Sequence, residues 1–191
     1  MRAAAFPVLA VALSACSPKG EPPLVAAADL SPAQKAQAQR AAEARDTLFR
    51  NLLRELSAAL EKGGPAAAIP VCRDRAPAIA REVSANSGVA IGRTSFKLRN
   101  PTNACPHWAE GLVEKRVSEP SHVVLSGGSL GVLFPIVTAA PCIQCHGEEA
   151  KIAPAVREAL AASYPADRAT GFREGDLRGW FWIEVPAAVG R

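Results

Sequence analysis

The sequence predicts an α+β fold in which N-terminal helices pack on a small antiparallel sheet, and three observations carry that prediction. Leu48, Leu52, Leu56 and Leu60 recur at four-residue spacing, the pattern of one helix face. Beyond Gly88 this period gives way to short β-branched and aromatic runs of strand length. Between two of those runs, Ser126-Gly127-Gly128-Ser129 supplies a hairpin turn, which makes the strands it joins antiparallel.

Each element has its own local signal. Ser31-Pro32-Ala33-Gln34 combines a capping serine, proline at the first helical position and glutamine three residues after the cap, so a helix starts there. Phe49 and Leu53 widen the leucine stripe, and Gly63-Gly64 supply the stop. A second helical segment runs from Pro65 to about Asn86 and ends at Gly88, with Pro70 and Pro77 expected to kink or divide it. Within it, Cys72, Ala76, Ile79 and Val83 fall on one stripe, which turns Cys72 inward. Strands are expected at Val89 to Ile91, Val123 to Leu125, Val132 to Val137 and Trp180 to Val185. Short helices are expected around Trp108 to Val117 and from Pro154.

Composition and the N-terminus bound the function. The chain has 191 residues, 49% apolar and 21% charged, enough for one core. Its net charge of +4 is spread among carboxylates, which gives no nucleic-acid footprint. Arg2, the apolar run from Ala3 to Leu13 and Leu13-Ser14-Ala15-Cys16 read as a processing signal over residues 1–15. The small residues before Cys16 resemble a bacterial lipoprotein box, which implies lipid on the Cys16 sulfur and a periplasm-facing protein of the cell envelope. Ser17 at the next position favours the outer membrane over the inner. Residues 16–30, rich in Pro and Ala, read as a flexible tether. No later stretch is long and apolar enough to span a bilayer.

The five cysteines divide by function. In Cys142-Ile143-Gln144-Cys145-His146 the sulfurs sit three residues apart, so a helical turn projects both to one side, where each can join a haem vinyl group. His146 then becomes the proximal iron ligand, and Gly147 leaves room for the ring. The cofactor expected is one covalent haem c. A zinc site would need two further ligands at compatible spacing, and the other cysteines lie far off in sequence. Met1 is the chain's only methionine and leaves with the signal, which excludes a His/Met electron carrier. The distal candidates are Cys72, Cys105, His107, His122, a lysine, Tyr164 or an open position. For Cys72, a buried core thiol and a disulfide to Cys105 remain alternatives. His107 and His122 read as surface or hydrogen-bonding residues. Trp108, Tyr164, Trp180 and Trp182 read as core or haem-packing aromatics.

Several ordered motifs extend the reading: Val71-Cys72-Arg73, Ala76-Pro77-Ala78-Ile79-Ala80, Gly92-Arg93-Thr94-Ser95, Arg99-Asn100-Pro101, Cys142-x-x-Cys145-His146-Gly147, Tyr164-Pro165-x-Asp167-x-Ala169-Thr170-Gly171 and Gly175-Asp176-Leu177-Arg178-Gly179. Together they resemble a family of small exported single-haem c-type proteins with a PAS-like fold, catalogued as a domain of unknown function. The resemblance covers most of the mature chain and implies one PAS-like haem domain over residues 31–191, leading helix included. It also implies Cys72 as the distal iron ligand. Cys105 departs from the pattern, standing where the family continues Asn-x-Pro. Arg93, Arg99 and Arg178 lie in the motifs and suit the haem propionates; internal salt bridges involving them and Asp176 are the equal alternative. The function expected is redox or small-ligand sensing, including a gaseous ligand, with the output passed to a partner protein. A low-potential electron carrier at the membrane surface is the alternative, and a peroxidase-like enzyme ranks last because no distal acid-base pair is recognisable.

Overall fold

The computed structural model describes residues 23–188, so Arg2, Cys16 and the rest of the processing signal lie outside the described residues. Helix α1, Pro32–Pro70, starts as the capping pattern requires: Gln34 N donates to Ser31 Oγ at 3.3 Å, and Ser31 N donates to Gln34 Oε1 at 2.8 Å. The stop at Gly63-Gly64 is a break, because Gly64 takes φ 72°, a left-handed conformation that favours glycine, and a second helical arm resumes at Pro65. Pro70 then leads into a wide π-helical turn over Val71–Arg75, in which Ala76 N bonds Val71 O. Helix α2, Ala76–Ser87, follows and ends on Gly88 at φ 61°.

Five strands form one antiparallel sheet: β1 Leu24–Val25, β2 Ala90–Thr94, β3 Ser121–Val124, β4 Leu130–Val137 and β5 Leu177–Val185, in the order β1-β3-β4-β5-β2. The Ser126–Gly128 turn closes the β3–β4 hairpin with Gly127 and Gly128 at positive φ. Two short helices, α3 Glu110–Glu114 and α4 Ile143–His146, and one longer helix, α5 Pro154–Ser163, complete the fold. The α+β expectation holds, with strand ends moved by a few residues. One reading is corrected: the segment expected to be all tether contains β1, whose Leu24 and Val25 pair with Val123 and His122, and Leu30 is buried. Its Pro and Ala content suggested a linker, but a two-residue edge strand is too short to show a period.

The sheet's two faces carry different cores. On one, Leu48 and Leu52 of α1 and Ile79 and Val83 of α2 pack on Leu130, Val132, Phe134, Phe181, Ile183 and Val185. Gln37 ties α1 to the sheet end, its Nε2 donating to Gly128 O at 3.0 Å and Val185 O at 3.1 Å. On the other face, Leu112 and Val113 of α3 pack on Val123, Leu133 and Trp180. A third cluster joins Ile69, beyond the Gly64 break, to Val156 and Leu160 of α5 and to Tyr164. Leu48 is fully buried, so Leu48→Ala is expected to cost about 2–5 kcal/mol in denaturant unfolding. A loss below about 1 kcal/mol would show that α1 does not anchor the core.

Candidate functional site

The leucine stripe of α1 is wider than the core needs. Leu48 and Leu52 are buried against the sheet, while Phe49 and Leu53 are 42% and 41% exposed. Phe49, Leu53, Leu56 and Leu60 instead wall a cleft whose floor is the end of the same sheet face, with Arg93, Ile136, Gly179 and Phe181. Gly179 is required there, since a Cβ would stand 2.2 Å from Thr94 O. Cys142, Cys145, His146, Cys72 and Tyr164 line the same cleft. Val137, at its edge, is 59% exposed.

The Cys142-x-x-Cys145-His146 motif folds as a turn over Ala140–Cys142 running directly into α4, so Cys142 and Cys145 sit one helical turn apart. Both are free thiols. Among the described residues no three His, Cys, Asp or Glu side chains converge as a metal-ion site. Gly147 has a local reason of its own. A Cβ there would meet Ile143 Cγ2 and Ile143 O at 2.6 Å, so the glycine is required by its own helical turn.

A second loop holds the motif in place. Phe172 N donates to His146 O at 3.0 Å, and Gly171 N donates to Gly147 O at 2.7 Å. The buried Arg99 donates from Nε to Asp167 Oδ2 at 2.9 Å, and from Nη2 to Cys145 O at 2.6 Å and Ala169 O at 3.2 Å. Asp167 Oδ1 in turn accepts from Ala169 N at 2.7 Å. Ala169 O lies 2.8 Å from His146 Nδ1. A carbonyl only accepts, so this contact places the proton on Nδ1 and leaves Nε2 with its lone pair, the tautomer a metal ligand needs. The 3.2 Å approach of Arg178 Nε to the same Nδ1 is then a close contact and not a second hydrogen bond. Burial first, and then the Arg178 and Arg99 charges, push the His146 pKa down to about 2, so the imidazole is neutral.

The three arginines part company here. Arg99 belongs to the internal Arg99–Asp167 ion pair. Arg178 is held by Ser95 Oγ at 2.9 Å and Lys97 O at 3.3 Å, with its guanidinium 5.1 Å above the Phe172 ring. Burial and the neighbouring Arg99 and Arg93 charges lower its pKa to about 10. Arg93 lines the cleft with no hydrogen-bond or ion-pair partner among the described residues. Asp176, expected in a salt bridge, accepts from the Arg173 backbone N at 2.7 Å instead.

Cys72 does not continue the Ala76, Ile79, Val83 stripe. Those three are buried in the core, whereas the π-helical turn shifts the side-chain phase and sets Cys72, half-buried, in the cleft. Burial raises its thiol pKa, opposed chiefly by the Arg93 charge. Cys72 and Cys105 are both free, and Cys105 packs on the opposite face of the sheet with Leu112 and Trp180, which removes the disulfide alternative.

The remaining candidates lie away from the cleft. His107 is exposed, with Nδ1 3.0 Å from Glu110 Oε2. His122 is buried opposite Val25 in the β1–β3 pair, not at the surface, and burial lowers its pKa. Trp108, Trp180 and Trp182 belong to the far-face core: Trp108 Nε1 donates to Glu184 Oε1 and Trp180 Nε1 to Val117 O, each at 2.8 Å. Tyr164 alone of the aromatic candidates lines the cleft.

The site contains two groups that the sequence reading did not assign. Asp167 stands inside a quoted motif, where its spacing from Tyr164 and Ala169 was the available signal. Thr138 had no such signal; it lines the cleft, and its Oγ1 is buried without a hydrogen-bond partner among the described residues.

The Tll0287-like family is matched over residues 26–186, which covers strands β2 to β5, both leading helices and the cleft. The chain belongs to the Tll0287-like family. In line with that membership, the fold matches the crystal structure of the cyanobacterial haem protein Tll0287 with a TM-score of 0.58 at 21% identity, covering 85% of this chain and 99% of that one. No curated protein matches the chain. The expected family, a domain of unknown function, and the α+β fold are therefore met.

Proposed function

We propose that the chain is a monohaem c-type protein, with haem joined to Cys142 and Cys145, His146 as proximal and Cys72 as distal ligand, working in redox or small-ligand sensing. The observation that carries this reading is the cleft. An apolar helical wall with exposed Phe49 and Leu53 meets Cys142, Cys145, His146 and Cys72, which come from segments far apart in sequence. An exposed apolar patch of this kind marks a binding site, and its large aliphatic and aromatic walls suit a flat, mostly apolar macrocycle. The buried, unpartnered Thr138 hydroxyl suits the polar edge of such a group. Family membership and the fold of the haem protein Tll0287 support the same cofactor.

When bound, haem supplies a one-electron couple and a place for a small ligand. The residues of the chain do the rest. Ala169 O holds the His146 ring through Nδ1, Arg99 fixes both the Cys145 and Ala169 carbonyls, and the α1 side chains exclude water from one side of the cleft. A thiolate from Cys72 would push electron density onto the iron and favour its ferric state. Displacement of that thiolate is the event through which a sensor of this design would signal to a partner protein. Lipid on Cys16, an outer-membrane, periplasm-facing location and the tether before β1 complete the reading. Electron transfer at the membrane surface is the second reading, favoured by the exposed apolar mouth at Phe49, Leu53 and Val137.

Cys72→Ala tests the ligation. The ferric Soret band and the electron-spin-resonance spectrum are both expected to shift, with loss of the low-spin thiolate signature. Spectra identical to those of the unsubstituted protein would overturn Cys72 as a ligand.

A further inference from the structure

Two donors in the cleft are left over by every role assigned so far. Arg93, on β2, has neither a hydrogen bond nor an ion pair among the described residues. Tyr164, just past α5, is 6% exposed, packs through its ring with Ile69 and Leu160, and has no hydrogen bond on its hydroxyl among the described residues. A guanidinium and a phenol that the described residues leave without an acceptor, in a mostly apolar cleft, are open to an acceptor that enters it. Both share the cleft with Cys72, and neither side chain is hydrogen-bonded into the His146 scaffold as those of Arg99 and Arg178 are. The charges confirm the neighbourhood: Arg93 is the strongest attractive influence on the Cys72 thiol, and Cys72 raises the Tyr164 pKa, which burial drives up to about 12.

We infer that Arg93 and Tyr164 form a binding site for a small monovalent anion, which takes the place of the Cys72 thiolate on that side of the cleft. This rests on the ligation reading above and names the ligand class for it. The guanidinium is positively charged and offers only donors, and the phenol can turn its O–H toward the same ligand, so together they favour an anionic acceptor over a neutral diatomic. The exchange needs no electron: one monovalent anion replaces another beside Arg93, and the departing sulfur takes one proton from water to become a thiol. Cys72 is placed to withdraw, because it sits within the wide turn at Val71–Arg75, on the helical arm that follows the Gly64 break.

The test is an azide titration of the ferric haem-loaded protein, followed in the Soret band. Cys72→Ala is expected to bind azide more tightly than the unsubstituted protein, because the competing thiolate is gone. Adding Arg93→Gln to it should weaken azide about tenfold or more, Arg93→Lys should recover part of that loss, and Tyr164→Phe should weaken azide several-fold. Carbon monoxide affinity of the ferrous protein should be unchanged by Arg93→Gln. Unchanged azide affinity in the Arg93→Gln background, or an equal loss of carbon monoxide affinity, overturns the anion site. Azide affinity that is the same with and without Cys72, but still sensitive to Arg93, overturns the Cys72 ligation and leaves the anion site standing. Failure of Arg93→Gln to fold is separated from these outcomes by the Arg93→Lys variant, which keeps the charge.

Discussion

Replacing Cys142 and Cys145 together by alanine is expected to leave a chain that carries no haem after boiling in detergent, where the unsubstituted protein keeps its haem stain. The reason is local geometry. The two sulfurs stand one turn apart on a turn fixed by Gly147 N bonding Ile143 O at 2.9 Å, and no other cysteine of the cleft shares that segment. Single substitutions should each keep one thioether and retain the stain, with an altered α-band. The double variant should also unfold roughly 10 °C lower, because the α1 wall of Phe49, Leu53, Leu56 and Leu60 faces water without its apolar partner. A double variant that keeps its haem stain would show that the attachment lies elsewhere. A variant that loses the stain at an unchanged melting temperature would show that the cleft does not depend on haem for stability.

What the sequence made legible follows from the range of the forces involved. The capping serine, the helix break at Gly64, the cap at Gly88 and the Gly127-Gly128 turn are written within a few residues of where they act, and all four stand in the structure. The helical turn that carries Cys142, Cys145 and His146 is legible for the same reason, since the three are near neighbours. Failures begin where placement depends on a tertiary partner. Leu24–Val25 is a strand only because Ser121–Val124 offers an edge. The stripe that turned Cys72 inward assumed a regular helix, and the π-helical turn after Pro70 breaks that phase, sending the thiol into the cleft and not the core. The arginine roles needed partners up to 83 residues away: Asp167 for Arg99, and Ser95 for Arg178. Thr138 was invisible for a further reason. Its significance is the lack of a partner, and no sequence pattern encodes that.

Arg99 is where fold and site meet, and Arg99→Leu is expected to cost about 3–5 kcal/mol in denaturant unfolding. Its side chain is 9% exposed and that of Asp167 is 14% exposed, so removal of the guanidinium leaves a carboxylate with little access to water. Two carbonyls, of Cys145 and Ala169, lose a charged donor at the same time. Asp167→Leu should be destabilising for the mirror-image reason, since it leaves the guanidinium without its counter-ion. The two substitutions combined should cost clearly less than their sum, because neither charge then remains. Stability alone would not separate a positioning residue from a structural one, and the haem-loaded protein supplies the second readout. Ala169 O holds His146 Nδ1 at 2.8 Å, so a loosened Ala169 loop lets the imidazole turn and broadens the ferric spectrum. Arg99→Lys keeps a charge opposite Asp167 but cannot span Asp167 and both carbonyls at once. It should therefore recover much of the stability and little of the spectral sharpness. Equal recovery of both would reduce Arg99 to an ion-pair partner. Recovery of stability alone would assign it the placement of His146.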